Sequence, residues 1–489
     1  MPPSTCHVDD YLLDLGPADA DITSHDTYTN GVPHATFARL RHEDPVHWTE
    51  EADGTGFWSI LRYHDALHVS RDVETFTSEK GIRLEEMDPE ENAARKTMME
   101  MDPPDHTRYR RLVNKGFTRR TVEGFEQPIR ELAAEVVERA LHNDEFDFVH
   151  EIAEQLPMRM LGRLLGTSDE HGRQLVAWGD ALLGNTDPDF TDFPVDLVDT
   201  DEFRMVPFRS PASIEIFRFA QEQAVERRQC PRDDVITQLL QPAIDGVPLT
   251  DHEFNNFFTL LVAAGNDTTR YSMTHGMWTF MNHPVLWDAL RDEPGLMAPG
   301  VEEVLRTSAV TMHFRRTATA DVELAGKKIA AGDRVVIWFN SANHDEAGFP
   351  RPFRFDLARE KNDHMAFGRN GPHLCLGAWL ASADAAEPLS YKWVSGSFNV
   401  STGDLTLTAP KPGDWEGAFA EAAATVMVAL AGRQWLVGNR MSAADVTAAA
   451  VMYRIRRSKL FDPPPGVETI RGWVDRVMAF DRFFDPSDV

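Results

Sequence analysis

Hydrophobic and polar positions divide the chain into a helical middle with short strands on either side of it. From about residue 105 to 305, apolar side chains recur at helical spacing, which predicts a series of amphipathic helices. Apolar runs bounded by turn residues predict short strands at 56–60, 321–324 and 334–338. The pattern therefore predicts a mainly α fold with small β-sheets.

A change of pattern after Leu380 marks a second segment. Alanine-rich sequence leads to Pro388 and then to a polar stretch that ends in Pro-Lys-Pro-Gly at 410–413, which is typical of a linker or a short hairpin. Helical spacing then returns. We therefore expect a first domain over 1–381, a junction over 382–412 and a small all-α module over 413–489.

Composition narrows the class of protein. The 489 residues are 42% hydrophobic and 26% charged, as in an ordinary globular protein, and carry a net charge of −29 that argues against nucleic acid or an anionic membrane surface as a partner. We find no signal-peptide pattern and no apolar run of about 18 residues, so we expect no membrane span. Three scattered cysteines fit a reducing compartment, and we predict a cytoplasmic protein.

One of these cysteines lies in a glycine-rich loop that reads Phe-Gly-Arg-Asn-Gly-Pro-His-Leu-Cys-Leu-Gly over 367–377. Glycines let backbone amides approach the sulfur of Cys375, and amide donors stabilise a thiolate and tune a bound metal. Cysteine thiolate is also one of the few protein ligands of haem iron. A lone cysteine is more often a buried thiol in a turn, but the Gly-x-His-x-Cys-x-Gly context favours the iron ligand over that alternative.

A second unusual segment interrupts an apolar helix predicted near 250–281. The helix accepts Gly265, Asp267 and Thr268 in its interior, although glycine there costs about 1 kcal/mol and the polar residues compete for backbone hydrogen bonds. An acid beside an alcohol can carry protons into a dry pocket. The alternative is an internally packed helix bend.

Two further pairs lie at helical spacing. His106 and Arg110 lie one turn apart after Asp-Pro-Pro, so that both could meet a pair of carboxylates, although a solvated basic face is an equal alternative. Glu303 and Arg306 are three residues apart on one helix face. Alone, such a pair is usually a weak surface contact.

In this order, over about 30–381, these motifs resemble the cytochrome P450 family. The resemblance implies the P450 fold, haem b bound through Cys375, and proton delivery by Asp267 and Thr268. It implies that the haem carboxylates are held by His106, Arg110, Arg316 and His373. It also implies a buried structural ion network of Glu303, Arg306 and Arg354, the last from Pro-Phe-Arg-Phe at 352–355.

Within the family, the two residues between Gly368 and Gly371 and the segments 315–319 and 341–346 resemble the mycobacterial sterol side-chain and methyl-branched lipid ω-hydroxylase group. This implies a monooxygenase that uses O2 to hydroxylate an apolar sterol, terpenoid or fatty-acid substrate. Electrons would come from NAD(P)H through a ferredoxin-type donor and its reductase, because the chain has no nucleotide-binding glycine fingerprint. The predicted substrate pocket walls are Val262, Ala263, Val310, Thr311 and Met312.

After residue 381 the chain departs from the family. Ser382 stands where the family has arginine, and Pro388 would end the expected helix. Residues 435–446 resemble the C-terminal helical domain of glutathione transferases, but the glutathione-binding half is missing, so we predict packing or self-association and no transferase activity. The alternative function is a catalytically impaired P450 fusion whose tail is a binding or dimerisation module.

Overall fold

The computed structural model describes residues 6–378 and two short segments, 395–398 and 405–408. Within the first range it leaves out 13, 30, 52, 118–123, 144, 196, 243–245, 266 and 370. The chain divides into two units, Met1–Ala409 and Pro410–Val489. The predicted module over 413–489 lies outside the described residues, and the domain boundaries stay predictions.

Helices make up most of the described part of the chain. The α-helices are α1 His25–Tyr28, α2 His34–Glu43, α3 Tyr63–Arg71, α4 Pro89–Arg95, α5 Asp105–Val113, α6 Glu126–Ala140, α7 Gln155–Leu164, α8 Asp169–Leu183, α9 Pro211–Gln229, α10 Val235–Leu239, α11 Asp251–Gly265, α12 Asp267–Asn282, α13 Val285–Asp292, α14 Met297–Ser308 and α15 Phe339–Ala342. Short 3-10 segments cover Met98–Glu100, Asn114–Phe117, Asp201–Phe203, Pro207–Arg209 and Pro294–Leu296, and a π-helical turn covers Val149–Ala153.

The strands are short. They are β1 His7–Val8, β2 Val46–Glu50, β3 Gly56–Ile60, β4 Phe76–Thr77, β5 Glu145–Asp147, β6 His313–Ala318, β7 Val322–Leu324, β8 Lys327–Ile329, β9 Arg334–Trp338, β10 Phe355–Asp356, β11 Ser395–Phe398 and β12 Leu405–Thr408. The prediction of a mainly α fold with small β-sheets is confirmed.

The largest sheet has five strands in the order β2-β3-β9-β6-β4. Two strands predicted from the sequence, β3 and β9, lie side by side and parallel, with Trp58 opposite Val335, although more than 270 residues separate them. All five residues of β9 are buried, which explains its unbroken apolar run. This sheet holds β6 in place, and β6 carries the predicted site residue Arg316.

The segment predicted as a junction contributes two described strands. β11 and β12 form an antiparallel hairpin, and β12 pairs with β5, with Leu407 opposite Phe146. Residues 395–398 and 405–408 therefore extend β5 into a three-stranded sheet within the first unit.

Two apolar clusters meet along the helix pair α11 and α12. Phe257 and Phe258 of α11 belong to a cluster with α7, α8 and α9. Met277 and Phe280 of α12 belong to another cluster, with α13 and α14. α11 and α12 therefore pack against different apolar clusters. No helix in the described ranges is long and apolar enough to cross a membrane.

A group of histidines is buried beside Tyr11. Its hydroxyl lies 3.1 Å from Nε2 of His344, and the His34 and His344 rings are 4.3 Å apart. Burial lowers the pKa of His34 to about 3 and that of His275 to about 4, with nearby arginines adding to both shifts, and holds the pKa of His344 well below its ordinary value. The folded protein therefore keeps these imidazoles neutral.

This histidine group predicts loss of stability in mild acid. Below about pH 6.5 the unfolded chain protonates these histidines whereas the folded protein does not, so each lowers the free energy of unfolding by about 1.4 kcal/mol per pH unit. Urea unfolding between about pH 7.5 and 5 measures this slope. His34→Phe should flatten the slope and the exposed His42→Phe should not. Equal slopes in all three proteins would contradict the prediction.

Candidate active site

One cavity of about 270 Å³ brings together residues from distant parts of the chain. Most of the predicted site residues line it. They are His106, Arg110, Thr268, Val310, Thr311, Arg316, His373 and Cys375. Their convergence follows from the fold, because α5, α12, β6 and the loop at 366–377 all reach this cavity.

The loop around Cys375 is held by backbone hydrogen bonds. The Cys375 amide donates to the carbonyl of Phe367 at 2.8 Å, and Gly368 adopts a φ of 66°, which favours glycine. A side chain at Gly371 would meet the Ser70 carbonyl at 2.5 Å, so only glycine allows the loop to lie this close to α3. The loop thus fixes where the sulfur enters the cavity.

The surroundings of Cys375 act on its thiol in opposite directions. Desolvation by the surrounding protein raises the pKa of the thiol, while the Gly377 backbone amide and the Arg110 guanidinium lower it. The net shift is upward. A bound metal cation would reverse it, because a coordinating thiol is deprotonated.

Four nitrogen-bearing side chains reach the same cavity. His106 and His373 have ring centroids 4.4 Å apart, and burial lowers the pKa of His106 to about 4. Within the described part of the chain, Nε2 of His106 and Nε of Arg316 are buried without a hydrogen-bond partner. Buried polar atoms are normally paired, so this wall lacks its acceptors. Two carboxylates, such as those of haem, would supply acceptors to His106, Arg110, Arg316 and His373.

The structure adds partners of His373 that the sequence interpretation did not assign. His373 Nε2 lies 3.2 Å from Ser78 Oγ and 3.5 Å from Asp102 Oδ1. Asp102 in turn accepts hydrogen bonds from the Ser78 amide at 3.1 Å and from the Thr77 hydroxyl. These contacts orient the imidazole. Asp102 directly precedes the two prolines of the His106 motif, which is the signal that points to it, whereas nothing in the sequence singles out Ser78.

The predicted acid and alcohol are neighbours in the first turn of α12, and residue 266, within the predicted helix interruption, lies outside the described residues. Thr268 lines the cavity, and its hydroxyl donates to the Ala264 carbonyl at 3.0 Å. Asp267 is not among the residues described as lining the cavity and instead pairs with Arg270. Successive helical residues project about 100° apart, so the two side chains leave the helix in different directions.

Some predicted pocket walls are wrong. Val310 and Thr311 line the cavity, but Val262, Ala263 and Met312 are not among its described lining residues. The cavity side of α11 consists of Phe257, Leu260, Leu261, Ala264 and Gly265. Val262 and Ala263 are instead buried within the apolar core, and the Met312 carbonyl accepts a hydrogen bond from the Phe339 amide at 2.9 Å. Successive residues of a helix point in different directions, and the sequence alone did not show which of them face the cavity.

The predicted ion network forms with a different third member. Glu303 and Arg306 are fully buried, with Arg306 Nε donating to Glu303 at 2.8 Å and Nη2 donating at 2.9 Å. Arg359 Nε lies 2.9 Å from Glu303, whereas Arg354 lies 3.7 Å from Asp9 and 3.5 Å from Asp356.

The prediction for Arg354 is therefore wrong. The short strand β10 pairs with β1, with Phe355 opposite Val8, and this places the Arg354 side chain near Asp9. The Arg354 carbonyl accepts from Arg359 Nη2 at 2.6 Å. Burial alone would raise the pKa of Glu303, but Arg306 and Arg359 hold it below its ordinary value.

The ion network is connected to the cysteine loop through Asn343. Arg306 Nη1 donates to the Asn343 carbonyl at 2.7 Å, and the Asn343 side-chain oxygen accepts from the Met365 amide, also at 2.7 Å. The Met365 carbonyl accepts from the Gly368 amide at 2.9 Å. The position of the loop that carries Cys375 therefore depends on the buried pair.

Family models match two parts of the chain. Residues 296–385, which include the ion network and the cysteine loop, match the model described as Cytochrome P450. Residues 416–481 match the model described as Glutathione S-transferase, C-terminal domain, which confirms the predicted resemblance of the tail.

Similar proteins cover most of the chain. A steroid C26-monooxygenase of Rhodococcus jostii is 35% identical over 75% of this chain and 76% of its own length. A linalool 8-monooxygenase of Pseudomonas putida is 36% identical over 74% and 88%. The solved structure of a Mycobacterium marinum cytochrome P450 in complex with pseudoionone superposes with a TM-score of 0.69 at 31% identity, covering 83% of this chain and 99% of that one.

The corrected ion network predicts unequal effects of two neighbouring arginines. Arg359→Ala leaves the Glu303 carboxylate buried with one partner fewer and should lower the free energy of unfolding by about 3 kcal/mol. Arg354→Ala removes contacts to more exposed carboxylates and should cost less than about 1 kcal/mol. Urea unfolding of both variants measures the difference. A larger loss in Arg354→Ala would contradict the assignment.

Proposed function

The chain belongs to the cytochrome P450 family, and we propose that it is a haem-thiolate monooxygenase with Cys375 as the iron ligand. It inserts one oxygen atom of O2 into a C–H bond of an apolar substrate, and the other atom leaves as water. Family membership implies haem iron and electrons supplied from outside the chain. The observation that carries the proposal is the single cavity that joins Cys375, a wall of buried donors without acceptors, and Thr268.

In this proposal each group of residues has a separate task. Bound haem b supplies an iron centre at which O2 is activated. The Cys375 thiolate would hold that iron, and a thiolate ligand is one that suits haem to oxygen activation. The haem carboxylates are held by His106, Arg110, Arg316 and His373. Thr268 holds a hydroxyl at the cavity surface, where it passes a proton that originates from Asp267.

The substrate shares the cavity with apolar side chains. Its walls include Ile82, Met98, Phe257, Leu260, Leu261 and Phe314. Among the described lining residues, the charged or imidazole side chains are His106, Arg110, Arg316 and His373, which the haem carboxylates would occupy. No charged partner then remains for the substrate. We therefore assign an uncharged sterol, terpenoid or fatty-acid derivative, in keeping with the steroid and linalool monooxygenases among the relatives.

Electrons would reach the chain from NAD(P)H through a ferredoxin-type donor and its reductase. This follows from the missing nucleotide-binding fingerprint, and the cytoplasm would supply both proteins. The similarity to named monooxygenases favours the catalytic function and lends no support to an impaired fusion. Self-association through residues 413–489 stays a prediction.

The reduced protein with carbon monoxide tests the iron ligand. The haem-loaded wild-type chain should give the red-shifted Soret band of a thiolate ligand. Cys375→Ala should abolish this band, because it removes the sulfur, and Cys230→Ala should keep it, because Cys230 is not among the described residues that line the cavity. A wild-type protein without haem, or with the blue-shifted band alone, would contradict the proposal.

Among the described lining residues, no cation remains for the substrate once the haem carboxylates are bound, and this predicts a preference between matched ligands. A long-chain fatty-acid methyl ester should bind at least about tenfold more tightly than the same free acid, because the carboxylate would be buried unpaired. The spin-state shift of the Soret band on titration measures both affinities at neutral pH. Equal affinity, or tighter binding of the acid, would sink the assignment of an uncharged substrate.

A further inference from the structure

Two consecutive methionines border the cavity that contains Cys375 and Thr268. Met98 and Met99 are both among its lining residues. Met98 is buried and Met99 is half-buried. The other described lining residues include no further methionine. These two thioethers therefore border the space in which, under the proposed function, O2 is reduced.

A short 3-10 turn holds both methionines at the wall. The Met99 amide donates to the Thr97 hydroxyl at 3.1 Å, and the Thr97 amide and hydroxyl donate to the Glu100 carboxylate at 3.0 Å and 2.6 Å. The Asn256 side chain of α11 donates to the Lys96 carbonyl at 3.1 Å. The turn is thus fixed by its own capping hydrogen bonds and by a helix that also borders the cavity.

The thioethers differ in chemistry from the leucine, isoleucine and phenylalanine side chains of the same wall. Leucine would bury a similar apolar volume, whereas methionine adds a polarisable sulfur that accepts an oxygen atom. When O2 takes up two electrons and two protons in the cavity and no C–H bond is attacked, the product is hydrogen peroxide. Peroxide then oxidises a thioether: its O–O bond breaks, an S=O bond forms, the sulfur gives up two electrons, and water leaves.

We propose that Met98 and Met99 form an oxidation site, at which peroxide made in the cavity turns an apolar wall polar and lowers the affinity for the apolar substrate. This inference rests on the proposed monooxygenase function. A sulfoxide oxygen accepts hydrogen bonds, and an apolar substrate that covers it leaves it unpaired. Oxidation would therefore lower substrate occupancy in a molecule that has reduced O2 without forming product, until a methionine sulfoxide reductase restores the thioethers.

Reduction of isotopically labelled O2 without substrate tests the proposal in the haem-loaded full chain. NADPH, a ferredoxin and its reductase supply the electrons, and excess catalase destroys peroxide that leaves the cavity. Peptide mapping by mass spectrometry should find labelled oxygen on Met98 and Met99. It should find none on Met205, which is 37% exposed and is not among the described lining residues.

Substrate affinity provides the second measurement. A long-chain fatty-acid methyl ester should bind the treated wild type at least about fivefold more weakly than the untreated protein, as read from the spin-state shift of the Soret band. The double variant Met98→Leu and Met99→Leu keeps the apolar volume and should bind equally well before and after treatment. Met205→Leu should lose affinity as the wild type does.

Three results would overturn the proposal. They are the absence of labelled oxygen from both cavity methionines, as much label on Met205 as on them, and an oxidised wild type or a double variant whose affinity change is the opposite of that expected. The mapping uses the wild-type chain, so it decides the proposal even if the double variant does not fold.

Failure of the wild-type chain to give a thiolate-type carbon monoxide band would count against the proposed function. An intact band together with unoxidised Met98 and Met99 would count against this inference alone.

Discussion

The buried pair of Glu303 and Arg306 is the interaction on which the rest of the site depends. Two charges without solvent contact are tolerated only when their remaining hydrogen-bonding groups are satisfied. Arg359 and the carbonyls of Asn343 and Pro352 meet this requirement. These hydrogen bonds connect α14 to residues 343–359, which follow β9 of the large sheet. Through the Asn343 side chain and Met365 the network also reaches the loop that carries Cys375.

In contrast to this ion pair, the cavity wall contains buried polar groups that lack hydrogen-bond partners in the described structure. His106 and Arg316 each have a buried nitrogen without a hydrogen-bond partner in the described structure, whereas Glu303, Arg306 and Arg359 have no such atom there. The paired ion network therefore supports the loop that carries Cys375, whereas donors without partners lie at the cavity wall. That division is what a protein needs in order to bind a rigid, doubly charged cofactor in one orientation.

Much of this could be predicted from the sequence, because short-range chemistry determines it. The glycine pattern around Cys375, the helical spacing of His106 and Arg110, and the polar break before Thr268 are local features. Arg359 was missed because the pairing of β10 with β1, which turns Arg354 away, is a contact between distant segments. Val262 was misplaced because one helical step decides whether a side chain faces the core or the cavity.

The sulfur–iron bond is the point at which the account can be tested most directly. X-ray absorption at the iron edge of the haem-loaded chain should show a single sulfur ligand beside the porphyrin nitrogens. The sulfur contribution should persist in Cys230→Ala and vanish in Cys375→Ala. A wild-type spectrum with nitrogen and oxygen ligands alone would contradict the central claim that Cys375 holds the iron.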